Sequence, residues 1–134
     1  MGSTNRRHGA QWALILVMLG GCASVDVRYP DGHHKRMGRA EFKAYAERVF
    51  RYQNRIVDRL IAVDGDDYAQ TDGRLLAAED AMEEACRALI SLVSAKAERR
   101  TLELSDKLQM PSAVPACERA VAAVDALLPL APSH

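Results

Sequence analysis

The sequence predicts an all-α fold, a small bundle of three or four helices that one disulfide ties together. Three observations predict it: apolar residues recur with helical period in three stretches, Pro or Gly residues separate those stretches, and no stretch shows enough alternation to predict a sheet. The 134 residues have room for a single domain. We therefore expect one helical domain over residues 39–134.

The amino-terminal segment has the composition of an export signal. Arg6 and Arg7 form a basic lead without acidic residues, and the eight residues 12–19 are all apolar. This order is typical of a secretory signal peptide. Eight apolar residues are too few for a permanent membrane-spanning helix, which needs about 20. Residues 1–21 are therefore expected to direct export.

The apolar run ends in Leu19, Gly20, Gly21 and Cys22. These four residues resemble the lipobox of bacterial lipoproteins, in which a Leu and two small residues before the Cys are recognised by a dedicated signal peptidase. The resemblance implies that Cys22 carries a diacylglyceryl group and an N-acyl chain, which together give stable membrane attachment. Ala23 follows instead of Asp. In this class of protein, an Asp directly after the lipidated Cys tends to retain the protein at the inner membrane of enterobacteria. Ala23 at this position therefore favours the periplasmic face of the outer membrane.

Behind Cys22 the chain is interpreted as a tether followed by helices. Residues 22–38 are predicted to be the lipidated amino terminus and a tether, with at most one short extended piece and a turn at Pro30 to Gly32. The first helical pattern covers about residues 39–63. The apolar residues on one stripe of this helix are Phe42, Ala46, Val49, Ile56, Leu60 and Val63.

Two further helical patterns follow. The second begins near Gly73, but the pattern allows two positions for its end. Leu102, Leu104 and Leu108 either prolong this helix or form a short extra helix that stops at Pro111. The third begins between Ser112 and Pro115. The stripes are Leu75, Ala78, Met82, Cys86, Leu89 and Val93 in the second pattern, and Cys117, Ala120, Val121, Val124, Leu127 and Leu128 in the third.

The two cysteines beyond the signal are predicted to pair. An exported domain lies in an oxidising compartment, and Cys86 and Cys117 each lie on the apolar stripe of a helix. We expect a disulfide between the second and third helices. The alternatives are a redox pair, which normally shows Cys-x-x-Cys, and a metal site, for which the chain offers only the adjacent His33 and His34. We predict neither, and no cofactor apart from the lipid on Cys22.

The charges of the chain argue against a nucleic-acid partner. Without residues 1–21 the chain has 16 basic and 18 acidic residues, a net charge of about −2. The first helix nevertheless has a basic sector opposite its apolar stripe. This sector could meet lipid phosphates or an acidic partner, or it could be solvated and paired with nearby acidic residues. Its members are Arg48, Arg51, Arg55 and Arg59.

Gln53 is the polar exception on the apolar stripe of the first helix. Helical geometry places it between Val49 and Ile56. A buried amide needs hydrogen-bond partners. Gln53 either fixes the register of the core as a satisfied polar group or, together with Asn54, faces a ligand in a pocket.

The sequence lacks the common catalytic motifs. It contains no Gly-x-Ser-x-Gly, no glycine-rich phosphate loop, no His-Glu-x-x-His, and no His between His34 and His134. We expect a non-enzymatic, membrane-anchored periplasmic lipoprotein that acts as an interaction or scaffold domain for a protein of the cell envelope. The alternatives are a carrier or sensor of a small apolar ligand and, by analogy of fold with secretin pilotins, an escort of an outer-membrane protein. A carrier needs an enclosed cavity, whereas partner binding needs an exposed apolar groove.

Overall fold

The computed structural model of the protein describes residues 23–63 and 73–129. The chain forms strands β1 (Ser24–Arg28) and β2 (His34–Gly38) and helices α1 (Arg39–Ala62), α2 (Gly73–Ala97) and α3 (Leu104–Leu127). The predicted signal at residues 1–21 and the predicted lipidation site at Cys22 lie outside the described residues. The helical bundle is confirmed.

The two strands correct the all-α prediction. They pair antiparallel, with Ser24 opposite Gly38, and Gly32 has a φ of 91°, a backbone conformation that glycine adopts without strain. Val27 and Met37 are buried in the same core as the helices. Residues 24–38 are therefore part of the folded domain and not a tether. The hairpin forms because its inner face packs on α1 and α3, a long-range contact that local alternation does not reveal.

Helix α3 lies at the centre of the bundle and packs along both other helices, whereas α1 and α2 contact each other sparsely. The Tyr45 and Tyr52 hydroxyls donate to carboxylates that each lie 73 residues further along the chain, so α1 and α3 run parallel. Helix α2 runs antiparallel to both. The fully buried side chains at the centre are Ile56, Leu89, Val27, Val49, Val114, Val121, Val124, Pro115, Cys86 and Cys117.

The course of α3 corrects the predicted stop at Pro111. Residues 98–103 separate α2 from a single helix that contains both Pro111 and Pro115, so the described residues hold three helices and not four. A proline inside a helix removes a backbone hydrogen bond and costs about 3 kcal/mol. Continuing the helix through both prolines places Met110, Val114 and Cys117 in the core, and this burial offsets the cost.

The cysteine pairing is confirmed. The sulfur atoms of Cys86 and Cys117 lie at bonding distance, 2.04 Å apart, and neither residue is exposed to solvent. The disulfide joins the middle of α2 to the middle of α3. It leaves α1 outside the covalent link, so α1 is held by packing and by polar contacts alone.

Candidate functional site

An open apolar groove lies between α1 and α2, two helices that contact each other only sparsely. The first half of the groove, which we call the basic half, has a volume of about 430 Å³. Its floor is apolar, and four cationic side chains lie at its rim together with Glu47. The floor residues are Val25, Phe42, Ala46, Phe50, Leu89, Leu92 and Val93; the cations are Arg39, Lys43, Arg51 and Lys96.

The second half, which we call the acidic half, continues along the same two helices toward the end of α1. It has a volume of about 460 Å³. Ile61 is 78% exposed and Ile90 is 37% exposed, so its walls present large apolar surfaces to solvent. Its residues are Gln53, Val57, Leu60, Ile61, Glu79, Asp80, Met82, Glu83 and Ile90. From Phe42 to Ile61 the two halves together measure about 28 Å along α1.

Gln53 lies where the two halves meet. Its side chain is only 7% exposed, and its Oε1 has no hydrogen-bond partner among the described protein atoms. The structure therefore buries Gln53, but Oε1 lacks the partner that a satisfied core amide, one of its two expected roles, requires. An unsatisfied buried carbonyl costs about 1–3 kcal/mol, so Gln53 is not optimal for stability.

The four arginines of the predicted basic sector do not act as one surface. Arg51 lines the basic half of the groove. The guanidinium groups of Arg48 and Arg55 lie over the rings of Tyr45 and Tyr52, at 5.0 and 5.5 Å from the ring centroids. Arg59 pairs with Asp125 and donates to the backbone carbonyl of Pro129 at 3.0 Å. Three of the four therefore face the α3 side of α1, and one faces the groove.

Two tyrosine–carboxylate contacts hold α1 against α3. The Tyr45 hydroxyl donates to Glu118 at 2.5 Å, and the Tyr52 hydroxyl donates to Asp125 at 2.6 Å. Burial and the hydrogen bond to Glu118 raise the pKa of Tyr45 far above its ordinary value. Burial and the hydrogen bond to Asp125 raise the pKa of Tyr52 to about 12. The Tyr52 hydrogen bond, and then Arg59, lower the pKa of Asp125 below 3.8.

These shifts predict how stability depends on pH. Because the Asp125 pKa is lower in the folded chain, its contribution is present above about pH 4 and is lost as the pH falls through the folded pKa. Because the Tyr52 pKa is raised, its contribution is present below pH 10 and is lost as the pH rises through about 12. We expect Asp125→Asn to lower the free energy of unfolding by about 1 kcal/mol at pH 7 and by much less at pH 3.

Urea unfolding of the wild type and of Asp125→Asn at pH 7, 5 and 3 measures this difference. Asp58→Asn is the matched control, because Asp58 lies on an exposed face of α1. We expect this control to stay within about 0.5 kcal/mol of the wild type. A loss for Asp125→Asn that is the same at all three pH values would contradict an ionised Asp125 at the α1–α3 contact.

The hairpin histidines bind neighbouring acidic residues. His33 stacks on the ring of Tyr29 at a centroid distance of 4.0 Å and contacts Asp31 at 2.5 Å, and His34 lies 3.4 Å from Asp26. Among the described residues, no group of three or more His, Cys, Asp and Glu side chains converges as metal ligands would. None of the described helices combines the length and the apolar composition that crossing a membrane requires.

Comparison with known proteins gives no relative from which a function could be transferred. No protein-family model, no curated protein and no solved structure matches the chain. The groove and its residues therefore carry the functional argument.

Proposed function

We propose that this chain is a lipid-anchored lipoprotein of the bacterial cell envelope whose domain binds an amphipathic helix of a partner protein without catalysing a reaction. The anchor is Cys22, preceded by Leu19, Gly20 and Gly21, and the location is the periplasmic face of the outer membrane. The observation that carries the binding proposal is the groove between α1 and α2. It is open and apolar, and it is as long as a helix of about 18 residues.

The charges at the two ends of the groove indicate how such a helix would lie. Arg39, Lys43 and Lys96 line one end, and Asp80 and Glu83 line the other. The carboxyl-terminal end of a helix carries partial negative charge and the amino-terminal end partial positive charge. A partner helix would therefore lie antiparallel to α1, with its last turn in the basic half.

Gln53 provides specificity within this groove. It is the polar group between two apolar halves, and Oε1 needs a donor. Rotation of the amide allows a partner's Ser, Asn or Gln side chain to hydrogen-bond with it at that one level of the groove. A partner helix with a purely apolar face would leave Oε1 unsatisfied, and this loss discriminates against wrong partners.

A second candidate function, a carrier of a small apolar ligand, is favoured by the basic half alone. Its volume of about 430 Å³ and its apolar floor suit a ligand with one acyl chain and an anionic head that meets the cationic rim. The two candidate functions differ in how much of the groove the bound molecule covers. A helix covers both halves of the groove, whereas a small ligand occupies only the basic half.

Photo-crosslinking in the native envelope separates the two candidates. The photoreactive residue p-benzoylphenylalanine replaces Val93 in the basic half or Ile61 in the acidic half, and Ala126 on the outer face of α3 is the control. We expect both groove positions, and not the control, to link to one polypeptide, and the linked peptide to have apolar residues at helical spacing. A small-molecule adduct at Val93 alone supports the carrier. Equal crosslinking at Ala126 contradicts both candidates.

The anchor is tested on the same cells. Mass spectrometry of the membrane fraction should find a mature chain that begins at an acylated Cys22. Cys22→Ser should remain unprocessed and carry no lipid. A mature amino terminus without acyl groups, or normal processing and membrane attachment of Cys22→Ser, would contradict the anchor and leave the crosslinking result intact.

A further inference from the structure

The hairpin places the start of the folded domain directly behind the lipidation site. Ala23 is the only residue between Cys22 and β1, and Val27 in β1 is completely buried. Two residues span at most about 7 Å. A lipid on Cys22 therefore holds the end of the bundle from which β1 starts against the bilayer, because residues 24–38 of the expected tether belong to the fold.

The elements that meet at this end can be identified from their pairing. Ser24 pairs with Gly38, which directly precedes α1. Helix α3 runs parallel to α1, and α2 runs antiparallel, so α2 ends and α3 begins on this side of the molecule. We call this side the anchor end. It consists of the start of β1, the start of α1, the last turn of α2, residues 98–103 and the first two turns of α3.

The anchor end presents apolar and cationic side chains together. Leu104 and Leu108 are 70% and 67% exposed and lie four residues apart, on one side of α3. The anchor end has six basic and four acidic residues, although the mature chain is acidic. Exposed leucines among lysines and arginines are typical of a surface that lies in the headgroup layer of an anionic membrane. The basic residues are Arg39, Lys43, Lys96, Arg99, Arg100 and Lys107; the acidic ones are Glu41, Glu98, Glu103 and Asp106.

Arg99 is a second, independent observation at this end. It has a φ of 55°, in the left-handed region that favours glycine. The Arg99 N–H donates to the Lys96 carbonyl at 3.3 Å, and the Arg100 N–H donates to the Ala95 carbonyl at 2.8 Å. This is the Schellman ending of a helix, where glycine is the usual residue. An exposed arginine thus occupies a position where glycine would be more stable.

We propose that the anchor end docks onto an anionic phospholipid surface, with Leu104 and Leu108 among the headgroups and Arg99 and Lys107 on the phosphates. This inference rests on the proposed lipid anchor at Cys22. Docking holds the groove at a defined angle to the membrane. The basic half lies near the surface, and the far end of the acidic half, about 28 Å further along α1, points into the periplasm. A partner helix then inserts with its carboxyl-terminal end toward the membrane.

Fluorescence quenching on vesicles tests the docking without cellular lipidation. The mature chain from Cys22 is coupled through this thiol to maleimide lipids, since Cys86 and Cys117 are bonded to each other. Leu108→Trp provides the probe, because the single Trp of the chain, Trp12, lies in the predicted signal. Leu76→Trp, at the opposite end of α2, is the control. The vesicles contain brominated phosphatidylcholine, with or without phosphatidylglycerol.

We expect strong quenching of the Leu108→Trp fluorescence in anionic vesicles, weaker quenching in neutral vesicles or at high salt, and little quenching for Leu76→Trp. Adding Arg99→Gly to the Leu108→Trp variant should shift its docking equilibrium on anionic vesicles about fivefold toward the undocked state. The same change should raise the Tm by roughly 4 °C, because it relieves the left-handed arginine. A purely structural role for Arg99 cannot produce opposite effects on stability and docking.

Equal quenching of the two probes, or no quenching of Leu108→Trp on anionic vesicles, overturns the docking. The coupling does not depend on acylation in the cell. An unmodified Cys22 in the native envelope therefore contradicts the proposed anchor. The vesicle result tests the docking surface independently of that anchor.

Discussion

Reducing the disulfide between Cys86 and Cys117 is expected to lower the free energy of unfolding by about 3–4 kcal/mol. The two cysteines are separated by 31 residues, and closing a loop of this length restricts the unfolded chain by that amount in the chain-entropy model. A domain of this size has a net stability of about 5–15 kcal/mol. The reduced chain should therefore be markedly less stable than the oxidised chain.

Urea unfolding with and without reductant measures this effect. Neither cysteine is exposed, so the disulfide should be reduced under denaturing conditions before refolding. Cys22→Ser is the matched control and should show the same loss on reduction, because Cys22 is not part of the pair. Cys86→Ala together with Cys117→Ala should reproduce the loss and no longer respond to reductant. Identical unfolding curves for the oxidised and reduced wild type would show that the link contributes nothing.

The helices are the part of the fold that the sequence predicts best. The apolar stripe of α1 predicts a helix over residues 39–63, and the structure has Arg39–Ala62. The predicted start of α2 near Gly73 is also confirmed. Amphipathic helices of this length repeat the same signal over six or seven turns, so the pattern is strong. It also predicts the disulfide, because Cys86 and Cys117 lie on those stripes.

The hairpin and the course of α3 could not be predicted from local pattern. β2 contains one buried apolar residue, Met37, among basic and small residues. It becomes a strand because β1 pairs with it and α1 contacts it, while β1 itself packs on α3. Pro111 and Pro115 are typical of a helix end. The continuous packing of Met110 and Val114 on α2 outweighs that preference.

The candidate site, like the hairpin, can be predicted only in part from local sequence pattern. Helical geometry predicts that Gln53 is buried, but it does not show that Oε1 lacks a partner, because this depends on which helix lies opposite. Phe42, Ala46, Leu89 and Val93 are residues of the predicted stripes that line the groove. Only the sparse contact between α1 and α2 reveals that these side chains line an open groove. The sequence therefore predicts part of the apolar floor of the groove without predicting the groove.

Met37→Ala is expected to lower the free energy of unfolding by about 3 kcal/mol. Met37 is 5% exposed and belongs to the same buried cluster as Tyr45 and Val114, so truncation leaves a cavity in the core. Its neighbour Arg36 is exposed on the outer face of β2, and Arg36→Ala is expected to change stability by less than about 0.5 kcal/mol. Urea unfolding of both variants with the disulfide intact measures the two effects.

The comparison decides between a tether and a hairpin. If residues 22–38 were a tether, neither substitution would change the free energy of unfolding. The domain could then lie away from the membrane by the length of that segment. A large loss for Met37→Ala alone shows that the chain is folded from β1 onward. Cys22 is then only two residues from the first residue of β1. The same measurement of core stability therefore also tests the geometry on which the docking of Leu104 and Leu108 depends.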